Sequence, residues 1–229
     1  MKKYLLLLLI AISIGIVMPH KLFATDITVG ASTWYSWFGG DMPCDKMDPA
    51  FMYGPAMAVK FNDDFNLTFV FLYGKYDMKY SDGEKTKLKR TDSDLALNYR
   101  LNDIFKVFAG VKYLGASFTG YDMNSFGPGL GVSAAFPIAE NLFLIANVSG
   151  FHVWGTDKGM NGDDEKENSK RYGFNSTLSL AYYIATASTT ISLGGRYQYI
   201  NNNYDKDKDS NPKNKFYGAT LTATYTFSI

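Results

Sequence analysis

The last fifteen residues, KFYGATLTATYTFSI, restrict the fold more than any other stretch. In them Tyr217, Ala219, Leu221, Ala223, Tyr225, Phe227 and Ile229 alternate with Gly218, Thr220, Thr222, Thr224, Thr226 and Ser228. Successive side chains of a strand point to opposite faces, so period two gives one apolar face and one face of glycine and hydroxyls. The same alternation recurs upstream. In SDLALNYRL, Leu95, Leu97, Tyr99 and Leu101 oppose Asp94, Ala96, Asn98 and Arg100. In IFKVFAGVKY, Phe105, Val107, Ala109, Val111 and Tyr113 oppose Lys106, Phe108, Gly110 and Lys112; in TTISLGGRYQY, Ile191, Leu193, Tyr197 and Tyr199 oppose Ser192, Gly194, Arg196 and Gln198. Ten such runs are read: 26–38, 51–61, 65–79, 91–101, 104–117, 124–137, 142–155, 171–184, 189–201 and 215–229.

Their connections alternate in length. Tight turns fall at 62–64, 102–103, 139–141 and 185–188, while longer polar segments fall near 39–50, 80–90, 118–123, 156–170 and 202–214. The 17 Tyr, 17 Phe and 3 Trp suit strands. The polar faces hold mostly Gly, Thr, Ser and Asn, whereas Lys, Asp and Glu gather in the long connections. A soluble β-sandwich or lipocalin-like barrel would need the reverse, a charged exterior. The expectation is therefore an all-β, closed antiparallel transmembrane β-barrel of ten strands, with eight as the alternative, its short turns and both termini periplasmic. From 25 to 229 the chain resembles bacterial outer-membrane β-barrels in general. The resemblance is most specific in Leu221, Ala223, Tyr225, Phe227 and Ile229, which look like the C-terminal signal read by the barrel assembly machinery; the family usually ends in Phe or Trp, and here Ile229 stands last.

Residues 1–24 carry Lys2 and Lys3, an apolar run from Tyr4 to Met18 and a small residue at Ala24, the three parts of a secretory signal. The run falls short of the roughly 20 residues of a spanning helix. This predicts a signal peptide over 1–24, cleaved after Ala24, and a barrel domain over 25–229 placed in the bacterial outer membrane. Without 1–24 the chain keeps 20 basic and 22 acidic side chains, which excludes the basic excess of a nucleic-acid binder. A single cysteine, Cys44, allows no internal disulfide.

The candidate interior face carries Lys60, Asp94, Arg100, Lys106, Lys112 and Arg196, with Asn98, Asn147, Asn175 and Gln198. Asp92 sits one pleat nearer the loops on the same face as Asp94. Five cations against one confident carboxylate leave two readings, a packed core with charges paired across a narrow lumen or a hydrated, anion-preferring passage. Gly127, Gly129 and Gly131 form an inward stripe that gives room to a long neighbour such as Lys112, or a bend in the wall. Trp34, Tyr35, Trp37 and Phe38, His152 and Trp154, and Tyr197 and Tyr199 are read as membrane-interface aromatics.

Chemistry finds little footing. His152 is the one histidine beyond residue 24, it is placed on the lipid face, and Ser149 points the other way. Asp205, Asp207 and Asp209 have the spacing of a calcium loop, but Ser210 and Phe216 stand where the glycine and the bidentate Glu are required. No cofactor is expected. The expectation is a non-enzymatic barrel with a structural or surface-interaction role, with a narrow anion-preferring pore and a lipid-modifying enzyme as alternatives. The expected partners are outer-membrane lipid and the assembly machinery. Mass spectrometry of the membrane-embedded protein should give Thr25 as its first residue; retained Met1 would refute the cleavage.

Overall fold

A computed structural model describes residues 25–41, 44–81, 83–159, 166–204 and 212–228, so the segment read as a signal peptide lies outside the described residues. The strands are β1 (Asp26–Gly40), β2 (Lys46–Met47), β3 (Ala50–Lys60), β4 (Phe65–Lys79), β5 (Lys85–Arg100), β6 (Phe105–Phe118), β7 (Tyr121–Ala139), β8 (Leu142–Lys158), β9 (Lys166–Ile184), β10 (Thr189–Tyr204) and β11 (Lys213–Ser228). All pairings are antiparallel. The ten long strands run β4-β3-β1-β11-β10-β9-β8-β7-β6-β5, and β5 pairs with β4 to close the barrel. The short β2 pairs with the end of β4 and continues the β3 ladder after Asp48 and Pro49, where proline has no N–H to donate.

Asp26 pairs with both Lys60 and Ser228, which puts both ends of the barrel on the rim of the short turns. Two of those turns share one device. The Asn62 carboxamide oxygen accepts from the backbone N–H of Asp64 and Phe65, and the Asn102 oxygen accepts from Ile104 and Phe105. Such Asx turns satisfy backbone donors where the ladder ends.

Every run read from the sequence is a strand, and apart from Trp34 and Phe38 the facing is as expected. Leu130, Leu193 and Leu178 point outward at 70%, 63% and 56% exposure, as a lipid-facing wall requires. Aromatic rings bound this band. At the loop side Tyr35, Trp37 and Tyr217 meet, with centroids 4.7 and 6.1 Å apart; at the turn side Phe65 contacts Tyr99 at 4.9 Å and Phe105 contacts Phe136 at 6.1 Å. Phe126 and Phe136, on one face of β7, lie ten residues apart, which in a strand tilted about 40° spans roughly 25 Å, the height of an outer-membrane apolar band.

Two expectations change. The strands continue beyond the band on the loop side, so the connections there shrink to 80–84 between β4 and β5 and to 119–120 between β6 and β7; Gly120, at φ +76°, completes the latter turn. Trp34 and Phe38, read as interface aromatics, point inward instead, and Trp34 is fully buried beside Phe216. Their parity in β1 is that of Ser32 and Ser36, so the alternation itself places them inside.

Leu97, between Leu67 and Ala109 on the outer wall, and Asn98, next to it on the inner wall, separate the two faces. Leu97→Arg should destabilise the inserted barrel by about 2–4 kcal/mol, seen as a lower folded fraction in lipid vesicles by heat-modifiable gel migration. Asn98→Arg, which opens into a polar cavity, should be much milder; equal tolerance would contradict the architecture.

Candidate functional site

Strands β5 and β10 lie five positions apart in either direction around the ten-stranded wall, so they face each other across the lumen. Asp92 of β5 is the meeting point. Its carboxylate accepts from Lys112 Nζ at 2.6 Å, Arg196 Nη2 at 2.8 Å, Gln198 Nε2 at 2.7 Å and Arg90 Nη2 at 3.2 Å. Lys112 also donates to Asp94 at 2.8 Å, and Arg90 donates to the Gln198 oxygen. Asp92 and Lys112 are each 1% exposed. Buried charges persist only when paired and hydrogen-bonded, and this cluster meets that condition with three cations on two carboxylates. Aromatic faces take up part of the excess: the Arg90 guanidinium lies 3.4 Å from the Phe216 ring centroid and Arg196 lies 4.5 Å from Trp34.

Above this hub, toward the loops, the lumen is filled. Met52, Tyr76, Met78, Leu88, Leu114, Val153 and Ile200 form one buried apolar layer, against which Cys44 and Met47 pack. Burial, and after it the neighbouring Asp45 carboxylate, raises the Cys44 thiol pKa above its ordinary value. On the β7–β10 side a second ion pair closes the same level: Arg171 grips Asp157 with Nη2, donates to Ser125 and Ser169 at 2.6 Å each, and reaches Asn202 at 2.8 Å through Nε.

Below the hub, toward the short turns, lies a cavity of about 450 Å³. Asp94, Lys112 and Arg196 form its roof, and Asn66, Asn98, Lys106, Asn147, Asn175 and the hydroxyls of Ser32, Thr68, Thr177 and Thr222 are among its walls. Several of these groups satisfy one another: Ser32 with Thr222 at 2.8 Å, Asn147 with Thr177 at 2.8 Å and Asn98 with Thr68 at 3.1 Å. The glycine stripe serves packing at this level. A Cβ on Gly131 would strike the Phe108 ring at 2.6 Å, and Gly127 is the ladder partner of Lys112.

The sequence-derived lumen residues thus divide. Lys112, Asp94 and Arg196 are brought together, and the expected shortage of carboxylates for Lys112 and Arg196 is overturned by Asp92. Lys60 and Arg100 face inward but stay at the turn rim, where Lys60 donates to Asp63 at 2.8 Å and Arg100 to Asp103. The Lys60 hydrogen bond holds the Asp63 carboxyl below its ordinary pKa. Lys106 has no ion-pair or hydrogen-bond partner among the described residues; its ladder partner is Arg100, a like charge. Arg90, Arg171 and Asp157 were missed because they fall in segments read as loops or at their edges; the unbroken parity of β5 from Leu88 to Asn98 was the signal that could have found Arg90. Leu221, Ala223, Tyr225 and Phe227 do share the outer face of β11, while Ile229 lies outside the described residues, as does the Asp205–Asp209 spacing. His152 faces outward against Trp154, 4.7 Å between ring centroids, and Ser149 faces the lumen.

No protein-family model matches the chain, and no curated protein matches its sequence. Among solved structures the outer membrane protease OmpT from Escherichia coli is similar, with a TM-score of 0.54 and 11% identity over 89% of this chain and 94% of that one. Two further similar structures are Ail, the attachment invasion locus protein of Yersinia pestis (TM-score 0.41, 13% identity, 90% of this chain and 100% of that one), and the outer membrane protein OprG from Pseudomonas aeruginosa (0.38, 12%, 90% and 97%). Fold and wall together define the class: a closed ten-stranded transmembrane β-barrel with the architecture of bacterial outer-membrane proteins.

Asp92→Asn leaves the buried cations Arg90, Lys112 and Arg196 with Asp94 as the one carboxylate of the cluster. It should destabilise the barrel by about 3–5 kcal/mol. Asp94→Asn, whose side chain is 40% exposed, should lose about 1 kcal/mol or less. Urea unfolding in lipid vesicles, followed by tryptophan fluorescence, measures both; similar losses would remove Asp92 from the centre of the cluster.

Proposed function

We propose that this protein is a non-enzymatic outer-membrane barrel, its short turns in the periplasm, whose lumen is sealed by its own side chains and whose role is structural or exerted at the cell surface by the strand extensions and loops. The observation that carries this reading is the stack of two closures across one lumen: the Asp92 hub and the apolar layer above it. A ten-stranded lumen is narrow enough for side chains to fill, and here they fill its outer half. Support for the location comes from the inside-out wall, the aromatic belts and the fold shared with OmpT. OmpT is a protease by name, but here the orientation of His152 toward lipid and of Ser149 toward the lumen argues against a paired base and nucleophile.

The second reading, a narrow anion-preferring passage, draws on the polar cavity and on Lys106. It requires the hub and the apolar layer to part. In planar bilayers the wild-type protein should give no sustained current, while Trp34→Ala combined with Phe216→Ala, which removes two rings from the seal, should give small channels. A steady anion-selective current from the wild type would overturn the sealed reading in favour of the passage.

A further inference from the structure

The outer wall carries a charge pattern that neither the hub nor the chamber beneath it explains. On the outer faces of β4 and β5, Lys75 and Lys89 are direct ladder partners, Asp77 and Lys87 form the next row toward the loops, and Lys79 and Lys85 the row after that. Like charges directly opposite each other destabilise an antiparallel pair. Lys79 is relieved by Asp48 at 2.5 Å, and Lys87 by Asp77 at 3.8 Å. Lys75 and Lys89, both exposed, have no carboxylate partner among the described residues. Their row lies one pleat above Tyr73, where the outer wall changes from apolar to charged, so both ammonium groups stand at the edge of the membrane band.

Below that row the wall is shaped as well as charged. β5 presents Thr91 and Ser93 outward, beside Tyr73 and Phe71 of β4 on one side and, for Ser93, Tyr113 of β6 on the other. Gly115 is the β6 partner of Thr91, and the Tyr113 ring folds over it: a Cβ on Gly115 would lie 3.0 Å from the Tyr113 hydroxyl, which is fixed on the Asn124 oxygen at 2.6 Å. Two short side chains between aromatic rings leave a furrow running down β5 from Lys89. Thr91 and Ser93 make no side-chain hydrogen bond among the described residues. Hydroxyls facing hydrocarbon cost free energy, whereas the polar part of a lipid at this height can meet them.

We propose that this strip of β4, β5 and β6 docks the phosphorylated head group of a glycolipid in the leaflet on the loop side. With the outer-membrane placement proposed above, on which this assignment rests, that leaflet is the outer one. Phosphate oxygens accept from Lys75 and Lys89, whose side chains start about 5 Å apart, within the span of one phosphate. Head-group hydroxyls meet Thr91 and Ser93, and an acyl chain lies in the furrow. A soluble polyanion satisfies the lysines but leaves the furrow unused, and a zwitterionic lipid brings its own cation beside the phosphate.

The test is titration of the detergent-solubilised full barrel with bisphosphorylated lipid A in micelles containing phosphatidylcholine, with bound lipid counted by native mass spectrometry and folding checked by heat-modifiable migration. One lipid A on the wild type, in preference to phosphatidylcholine, is expected. Lys75→Gln combined with Lys89→Gln should raise the half-saturating lipid A roughly twentyfold, about fivefold for each lysine at a membrane surface. Lys85→Gln combined with Lys87→Gln removes the same charge further from the band and should raise it roughly threefold or less, through screening. Ser93→Leu, which fills the furrow and alters no charge, should also weaken binding. A folded wild type that retains no lipid A, or equal effects of the two lysine pairs, would overturn the site. Competition by heparin, with Ser93→Leu binding lipid A as the wild type does, would give the surface to a soluble polyanion and overturn the lipid assignment. Binding by the purified barrel does not depend on where the cell puts it, so fractionation of cell membranes tests the placement separately.

Discussion

In a bilayer no water can reach a stray backbone N–H or C=O, and that constraint sets the wall on which everything else in this molecule rests. Closure of β5 on β4 and of β1 on β11 removes every free edge among the ten long strands. Ten strands then fix the lumen width, and the width decides which side chains can meet. Asp92 touches Arg196 and Gln198 only because β5 and β10 are diametrically opposed in a ring small enough for a carboxylate and a guanidinium to bridge it. The hub is thus a consequence of strand number as much as of residue choice.

Bringing five ionised groups into that space is costly, and the arrangement shows how the cost is offset. Asp92 takes hydrogen bonds from four donors, so neither of its oxygens is left bare. The cations rest on ring faces of Phe216, Trp34 and, for Lys112, Phe151 at 5.8 Å. The rings Trp34 and Phe216 belong equally to the apolar layer, which joins the polar cluster to the dry core instead of leaving a seam between them.

The architecture was almost wholly legible in the sequence, because alternation reports facing directly and all ten runs are strands. The closure of the lumen was legible only as one of two readings, and the apolar layer above the hub was not. Membrane-embedded strands are apolar outside and polar inside, and in the sequence that sign of the alternation is what marks a strand. Above the membrane the same strands continue in the same phase with the sign reversed. In β5, Lys85, Lys87 and Lys89 point out while Leu88 and Arg90 point in; in β4, Lys75 and Asp77 point out while Tyr76 and Met78 point in. Read with a membrane rule, EKTKLKR is a basic loop; read with the rule for a soluble barrel, it is a strand with a buried leucine and a buried arginine. Trp34 was misread for a related reason, since its type suggested a belt while its even position in β1 put it inside.

The level at which the sign reverses explains where the hub sits. On the outer wall the change falls between Tyr73 and Lys75, between Phe126 and Asn124, and between Tyr217 and Lys215. On the inner wall Asp92, Lys112, Gln198 and Phe216 are the immediate chain neighbours of Ser93, Tyr113, Tyr197 and Tyr217 on that same boundary. Below it the exterior is lipid, so the interior must take the polar side chains and keep a cavity for them. Above it the exterior is water, so the interior can take the apolar ones and pack as a soluble core does. A charged cluster is tolerated at the join because one side of it reaches a polar cavity and the other reaches polarizable rings. The seal and the chamber are therefore two halves of one arrangement, set by the height at which the wall leaves the membrane.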